Sequence, residues 1–257
     1  MVDPQTGEYS TTIKSPTGIA SDPALAGYGV VQAKQLATHL ASLDPPMDLI
    51  YSSPFYRCLQ TLSPFTDRLV EARGEGKISV NVEPGVGEFY GTARFDHPSP
   101  ASIEVLNTHF KHLKAEEVAT IIPSSKGESI PQLHDRLAYC LRAVIAKADA
   151  DPLKPKALLM CTHAAAMIAI GRALTGRMPE DECEDDFKCG TCSFSKFTRR
   201  SRDVAKEVES DAPVWSADAP DKVPDIGWRG GKGVGGGWNV EVNGDCSFLE
   251  NGEERTW

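Results

Sequence analysis

The chain has 257 residues, 40% of them hydrophobic and 25% charged, which is enough to bury a sizeable core in one main α/β domain. Its 36 acidic residues outnumber 27 basic ones, so we expect no nucleic-acid binding by the bulk surface. No apolar run reaches the length of about 18 residues that a membrane helix needs, and residues 1–18 lack the features of a signal peptide. We therefore expect an intracellular protein, cytoplasmic or nuclear, with no membrane partner.

A helix followed by a short buried strand is predicted near the N-terminus. Apolar side chains recur at helical spacing over residues 27–43, and the Pro-Pro pair that follows ends the pattern. Residues 48–53, DLIYSS, are apolar enough for a buried strand. The helix therefore leads into the strand.

A second helix is predicted to begin directly after that strand. Ser53 is a good N-cap, and Pro54 suits the first helical position. The helical pattern continues through residue 72, and Pro64 inside it is expected to break or kink the helix. Arg57 would then lie in the first turn, at a junction between strand and helix.

Strands and helices alternate through the middle of the chain. Residues 78–84 alternate with period two, which predicts a strand, and a short helix is predicted over 102–113. A long amphipathic helix is predicted over 128–150. The apolar run 157–163 is typical of a parallel-sheet strand, and it leads into a helix over 164–176 that ends in glycine. This alternation predicts an α/β fold with a mostly parallel central sheet.

The composition changes beyond residue 176. An acidic loop is predicted over 180–187 and a strand over 191–199, so the main domain spans residues 1–198. Residues 199–237 are predicted to be a flexible polar and glycine-rich loop. Residues 238–257 are predicted to return to the same domain as a hairpin that turns at Asn243-Gly244.

Two motifs in this region have simpler interpretations than a cofactor site. Cys183, Cys189 and Cys192 could offer three thiolates to zinc, but no fourth ligand is evident, and buried structural cysteines are the simpler interpretation. The G-x-G-x-x-G at 231–236 follows no predicted strand and opens no predicted helix, so we interpret it as a linker. We expect no metal and no cofactor, and seven reduced cysteines.

Three polar residues mark the ends of predicted strands: Arg57, Glu88 and His163. Ligands bind at this edge of α/β sheets, and a guanidinium, a carboxyl and an imidazole together suit a phosphoryl group. Taken singly, Arg57 and Glu88 are more often solvated charges, and His163 is as often a satisfied structural residue. Their joint placement favours one catalytic, phosphate-binding site.

Four segments in this order carry a resemblance to a known family: DPALAGYGVVQAKQLATHL, SSPFYRCLQT, GVGEFYG and LLMCTHAAAMIAIG. They resemble the histidine phosphatase superfamily, which has the phosphoglycerate-mutase-like fold. The phrases SPTGIASD, SPFYRC, THAA and NGDCSFLENGEERTW are most similar to the fungal branch that includes the phosphatase-like domain of the tau55 subunit of transcription factor TFIIIC. The resemblance covers residues 15–198 and the terminal segment.

The resemblance implies a three-layer fold and cofactor-independent chemistry on a phosphorylated small molecule or another phosphate ester. Arg57 would be the second phosphate-binding arginine, and Glu88 the proton donor. His163 would be the second histidine of the phosphate pocket. The catalytic residues implied are therefore Glu88, His163 and Arg57, and Arg57 and His163 would hold the phosphate.

The sequence has no counterpart of the family's nucleophilic histidine. In the family the nucleophile is the histidine of an Arg-His-Gly motif at the end of the first strand, beside the strand that ends at His163. No Arg-His-Gly occurs in this sequence. We therefore expect a fold without its first strand, a domain truncated at its N-terminus, and an incomplete gene model as the reason.

Two classes of function stay open on this basis. One is a phosphomonoesterase that acts through phosphohistidine when the upstream motif is present, and that is inactive as the sequence stands. The other is a noncatalytic phosphatase-like binding module, or a subunit of a fungal transcription complex with a protein partner. Phosphoglycerate mutase activity is a weaker third, because it needs the same histidine and residues 91–126 lack that enzyme's pattern.

Overall fold

Four short parallel strands form the central sheet in the computed structural model, which describes residues 2–115, 119–200 and 214–255. They are β1 (Leu49–Ser52), β2 (Val80–Val82), β3 (Leu113–Ala115) and β4 (Leu158–Cys161). Their order in the sheet is β3-β2-β1-β4. All three neighbouring pairs are parallel, so the strands end at one common edge, as the sequence predicted.

Helices cover both faces of this sheet. They are α1 (Gly27–Ala41), α2 (Tyr56–Arg73), the short α3 (Ile103–Leu106), α4 (Ile130–Ala150) and α5 (Ala164–Thr175). Ile50 points into an apolar cluster with α1 and α2, whereas its neighbour Tyr51 points into a cluster with α4 and α5. The three-layer α/β architecture is therefore confirmed. None of the described helices is long and apolar enough to cross a membrane.

A separate two-stranded sheet follows, and it differs from the predicted hairpin. Its strands are β5 (Phe194–Arg199) and β6 (Trp238–Asp245), which pair antiparallel. Asn243-Gly244 lies inside β6 instead of turning the chain, and Cys246 and Leu249 beyond it are buried in turns. The hairpin prediction was wrong because β6 pairs with residues 39 to 51 positions upstream, which a local turn signal cannot indicate.

The outer edge of β4 has no paired strand within the described ranges. β4 hydrogen-bonds β1 on one side, while β5 and β6 belong to the other sheet. Leu159 and Phe194 nevertheless pack against one apolar cluster, and Met160 and Phe197 against the other. The two sheets thus lie between the same helical layers, and the side of β4 away from β1 is where the family resemblance expects another strand.

The segment predicted as a flexible loop is packed wherever the structure describes it. Residues 201–213 lie outside the described residues. In the remainder, Trp228 and Val234 are only 1% and 2% exposed and join the cluster of α4 and α5. Arg200 donates from Nη1 to the carbonyl of Gly231 at 2.8 Å. The linker interpretation therefore does not describe residues 214–237.

Two local predictions also differ from the structure. The helix expected over 102–113 stops at Leu106, and Leu113 begins β3, after His112 with its left-handed φ of 66°. Of the break or kink expected at Pro64, the break does not occur, because α2 continues from Tyr56 to Arg73. Leu62 and Phe65 on either side of the proline are buried, and this packing holds the helix together despite the lost N–H donor.

Candidate active site

Arg57, Glu88 and His163 meet at the common edge of the sheet. Arg57 Nη2 donates to Glu88 Oε2 at 2.7 Å, and His163 Nδ1 lies 3.1 Å from the same oxygen. Arg57 Nη2 and His163 Nδ1 are 3.2 Å apart. The side chains of Arg57 and Glu88 are 22% and 26% exposed, so solvent reaches this point. The structure therefore brings together all three residues that the sequence singled out, and their chemical roles stay predictions.

Arg57 is held by an acidic residue that sequence reasoning missed. Asp22 accepts from the backbone N–H of Tyr56 at 2.6 Å, so it caps α2 from a distant loop. It also accepts from Arg57 Nη1 at 3.0 Å. Burial raises the pKa of Asp22, and the Tyr56 hydrogen bond and the Arg57 charge oppose that rise. The phrase SPTGIASD ends at Asp22, but no helix starts next to it in the chain that would have marked it as a cap.

Ser53 has a different task from the N-cap predicted for it. The N-cap position of α2 is Phe55, which makes no side-chain cap hydrogen bond. The buried hydroxyl of Ser53 lies 2.8 Å from His163 Nε2. The prediction was wrong by two residues because Asp22 satisfies the free N–H groups at the helix start.

His163 lies between β4 and α5, at the N-cap position of the helix, in extended conformation. Its ring stands edge-on to Phe55, with centroids 5.1 Å apart. When Nδ1 carries a proton it donates to Glu88, and Ser53 or the nearby Cys58 thiol faces Nε2. Only the tautomer protonated at Nε2 alone could accept from Arg57. Contact with an ionised Glu88 favours the proton on Nδ1.

The pKa values of Glu88 and His163 move in opposite directions. Burial opposes ionisation of Glu88, but the hydrogen bond and charge of His163 and the charge of Arg57 outweigh it, and the pKa of Glu88 falls to about 2. Burial likewise disfavours charged His163, but Cys58 and Glu88 raise the pKa of His163 to about 9. At neutral pH the site therefore holds a carboxylate against two cations.

Two thiols complete the buried side of the site. Cys58 lies 3.6 Å from His163 Nε2 and is 4% exposed. The Cys161 thiol donates to the carbonyl of Cys58 at 3.5 Å. A hydrogen bond from Cys161, together with the His163 and Arg57 charges, lowers the pKa of Cys58 despite its burial. Cys58 in turn favours the charged form of the His163 imidazole and so raises its pKa.

The three cysteines weighed as zinc ligands are not grouped into a metal site. Cys183 is exposed, Cys189 is buried and Cys192 is half-buried, and all seven cysteines are free thiols. Within the described part of the chain, no three His, Cys, Asp or Glu side chains are grouped so that they could hold a metal ion. The glycine-rich motif lies in the packed 230–237 segment, away from any strand-to-helix turn.

A parallel sheet that gathers a guanidinium, a carboxylate and an imidazole at its carboxyl edge defines an α/β protein with a cluster of charged side chains where such sheets bind ligands. The family is shown by comparison with known sequences. The family model of the histidine phosphatase superfamily, branch 1, matches residues 7–211. The chain belongs to this superfamily, which confirms the resemblance seen in its motifs.

Individual relatives agree with this assignment. The chain is 32% identical to the transcription factor tau 55 kDa subunit of Saccharomyces cerevisiae, over 94% of this chain and 52% of that protein. It is 25% identical to the ecdysteroid-phosphate phosphatase of Drosophila melanogaster, over 66% of this chain and 22% of that protein. The chain thus spans about half the length of the first relative and less of the second. The solved structure of a mycobacterial glucosyl-3-phosphoglycerate phosphatase has the same fold, with 16% identity, a TM-score of 0.50 and 87% of each chain covered.

Proposed function

We propose that the site of Arg57, Glu88 and His163 binds the phosphoryl group of a phosphate monoester. The observation that carries this proposal is the convergence of two cationic donors on one anionic oxygen. Arg57 Nη2 and His163 Nδ1 lie 2.7 and 3.1 Å from Glu88 Oε2. A phosphoryl oxygen is an anionic acceptor of the same kind, and it would take the place of the carboxylate oxygen.

Glu88 then becomes the proton donor that the family resemblance implies. The pKa of Glu88 is low because His163 and Arg57 face it. An incoming phosphate dianion takes over these two partners and adds negative charge nearby, and both effects raise the pKa of the displaced carboxyl. A protonated Glu88 beside the ester oxygen can protonate the leaving alcohol. The substrate class is a phosphorylated small molecule or another phosphate ester.

We further propose hydrolysis through phosphohistidine when a histidine is supplied beside β4. The histidine nitrogen attacks phosphorus, the bond from phosphorus to the ester oxygen breaks, and Glu88 protonates that oxygen. Water then attacks the phosphohistidine and gives a proton back to Glu88, the bond from phosphorus to nitrogen breaks, and phosphate and the free histidine are released. The sequence contains no Arg-His-Gly, so the 257-residue chain by itself is expected to bind phosphate without turning over esters.

Calorimetric titration with orthophosphate tests the binding step. We expect the 257-residue protein to bind phosphate. The Arg57→Ala variant should bind it roughly 10- to 100-fold more weakly, which is the loss expected when a hydrogen bond to a charged group is removed. Arg68→Ala is the matched control, because Arg68 is an exposed arginine on the same helix. Equal affinities of wild type and Arg57→Ala would refute the site.

Assay on p-nitrophenyl phosphate tests the catalytic step. We expect no turnover by the 257-residue chain, and turnover by a version preceded by a strand that ends in Arg-His-Gly. Changing the histidine of that motif to alanine should abolish the activity. Turnover by the 257-residue chain that Arg57→Ala removes would show that the nucleophile lies within it.

A second function is favoured by one relative. Similarity to a transcription factor subunit extends over 94% of this chain, so we propose a role as a nuclear, noncatalytic or phosphate-sensing subunit with a protein partner. Affinity purification of the tagged protein from fungal nuclei, with Arg57→Ala in parallel, tests this role. Recovery of other subunits of the transcription factor is expected, and their absence would reject it.

A further inference from the structure

A single arginine holds the turn that carries Glu88. This turn consists of residues 84–88 and includes a short 3-10 helix at Pro84–Val86. Arg136 Nη1 donates to the carbonyls of Gly85 at 2.8 Å and Gly87 at 3.3 Å, and Nη2 approaches the carbonyl of Glu88 at 3.5 Å. Three of the last four carbonyls of the turn therefore face one guanidinium.

The remaining carbonyl, that of Val86, accepts from a second side chain. Thr162 Oγ1 donates to the carbonyl of Val86 at 2.6 Å. Thr162 follows β4 directly and precedes His163 in the chain. The hydroxyl thus ties the turn that carries Glu88 to the strand end that carries His163. The distance between carboxylate and imidazole depends on this connection.

Arg136 is itself fixed and electrically balanced. Its side chain is 1% exposed and makes a two-pronged ion pair with Glu128, with Nε at 3.1 and 3.0 Å and Nη2 at 2.6 Å from the carboxylate oxygens. The backbone N–H of Glu128 donates to the carbonyl of Tyr90, two residues beyond Glu88. The guanidinium stays against the turn, because separating it from Glu128 would leave an uncompensated buried charge.

The turn also has no room to shift toward α4. A β-carbon on Gly85 would lie 2.7 Å from Cys140 Sγ and 2.8 Å from a methyl group of Ile121. Glu83 accepts from the N–H of Gly85 at 2.8 Å and closes the start of the turn. The backbone that carries Glu88 is therefore held by hydrogen bonds from Arg136 and Thr162 and by close contact with Cys140 and Ile121.

We infer that Thr162 and Arg136 are positioning residues, which hold the carboxylate of Glu88 against His163 and Arg57 through the backbone of residues 84–88. Neither side chain touches the carboxylate itself. The consequence for a phosphate ester rests on the proposed function, but the positioning does not, since it exists in the free protein. Three guanidinium contacts and one hydroxyl contact to backbone carbonyls thus set where the proton donor stands.

The test follows the imidazole of His163 by NMR titration in protein without phosphate. The charged and titratable groups that face it are Glu88, Arg57 and Cys58, with Cys161 beside Cys58. Thr162→Val removes one hydroxyl with little change in volume. We expect Thr162→Val to lower the pKa of His163 by about one pH unit, because the Glu88 carboxylate is no longer held 3.1 Å from Nδ1 of the imidazole.

A double-mutant cycle separates positioning from a general effect on stability. In a Glu88→Gln background, Thr162→Val should leave the titration of His163 unchanged, since there is no carboxylate to misplace. Thr175→Val is the matched control, because its hydroxyl donates to the Gly171 carbonyl at the far end of α5. Arg136→Lys, which keeps the charge but loses the fork, should act in the same direction as Thr162→Val.

Two results would overturn the inference. One is an equal shift of the His163 titration by Thr162→Val with and without the Glu88 carboxylate, and the other is an unchanged titration in the single variant. Both are read without phosphate, so a failed phosphate titration rejects the proposed function and leaves this result to stand by itself.

Discussion

Replacing Glu88 by glutamine should make the site bind orthophosphate more tightly. In the free protein the Glu88 carboxylate occupies the donors of both Arg57 and His163. A phosphate must displace it and then remain close to its negative charge. Glutamine keeps the shape of the side chain but removes that charge, so both costs fall.

The size of the effect follows from the geometry. After displacement, the carboxylate would stand about 6 Å from the phosphate charge, where two unit charges repel by about 3 kcal/mol at an effective dielectric constant near 20. The Glu88 side chain is 26% exposed, and solvent screening reduces this value. We therefore expect a gain of about 1–2 kcal/mol, or roughly 5- to 30-fold in affinity.

Calorimetric titration at pH 6 measures this gain, because wild-type His163, with its pKa of about 9, is charged there, and in the variant the bound phosphate replaces Glu88 as the anion that favours the charged imidazole. Glu104→Gln is the control for net charge, since Glu104 is exposed on α3 away from the site. Unchanged or weaker phosphate binding by Glu88→Gln would refute the view that the carboxylate competes with the ligand. It would then have to contribute to binding, as a protonated donor does.

Three further outcomes are expected. Glu88, with its pKa lowered from 4.5 to about 2, stabilises the fold above pH 4.5 and loses this effect as the pH falls toward 2. His163, with its pKa raised from 6.5 to about 9, stabilises the fold below pH 6.5 and loses this effect as the pH rises toward 9. The Tm of the wild type should therefore peak between pH 4.5 and 6.5, and the Tm of Glu88→Gln should vary less with pH. Asp22→Ala should lower the free energy of unfolding in urea by about 2–4 kcal/mol, because it removes a buried helix cap and one partner of an ion pair, and a loss below about 0.5 kcal/mol would contradict this. Gly85→Ala should cost about 1–3 kcal/mol through overpacking, and adding Cys140→Ala should restore part of it, whereas strict additivity would exclude the contact.

The central elements could be predicted from the sequence because each carries its own pattern. The apolar run before His163 and the helical spacing of 128–150 are strong local signals, and β4 and α4 formed there. The convergence of Arg57, Glu88 and His163 could be predicted from the sequence, because parallel strands end at one edge of the sheet. Sequence and structure agree where the determining interactions lie within one element.

The errors share a different physical origin. Asp22 caps a helix that begins 34 residues later, and no local pattern reveals such a partner. The Asn243-Gly244 pair has the composition of a hairpin turn, but pairing of β6 with β5 overrides it. The glycine-rich 230–237 segment has linker composition, but Trp228 before it supplies enough apolar burial to hold it in place. In each case a contact between distant residues decided the outcome.

The helix that begins after His163 is anchored at its far end as well. Arg200 donates to the carbonyl of Thr175 at 2.7 Å, and the N–H of Gly231 donates to the carbonyl of Gly176 at 2.8 Å. A helix fixed at both ends cannot swing when an anion arrives, and the turn that carries Glu88 is held by Arg136 and Thr162, so we expect only the side chain of Glu88 to rotate. Such rotations take picoseconds to nanoseconds, whereas domain closure takes microseconds or longer. Capture of the ligand should therefore be limited by diffusion and not by a slow closure of the protein.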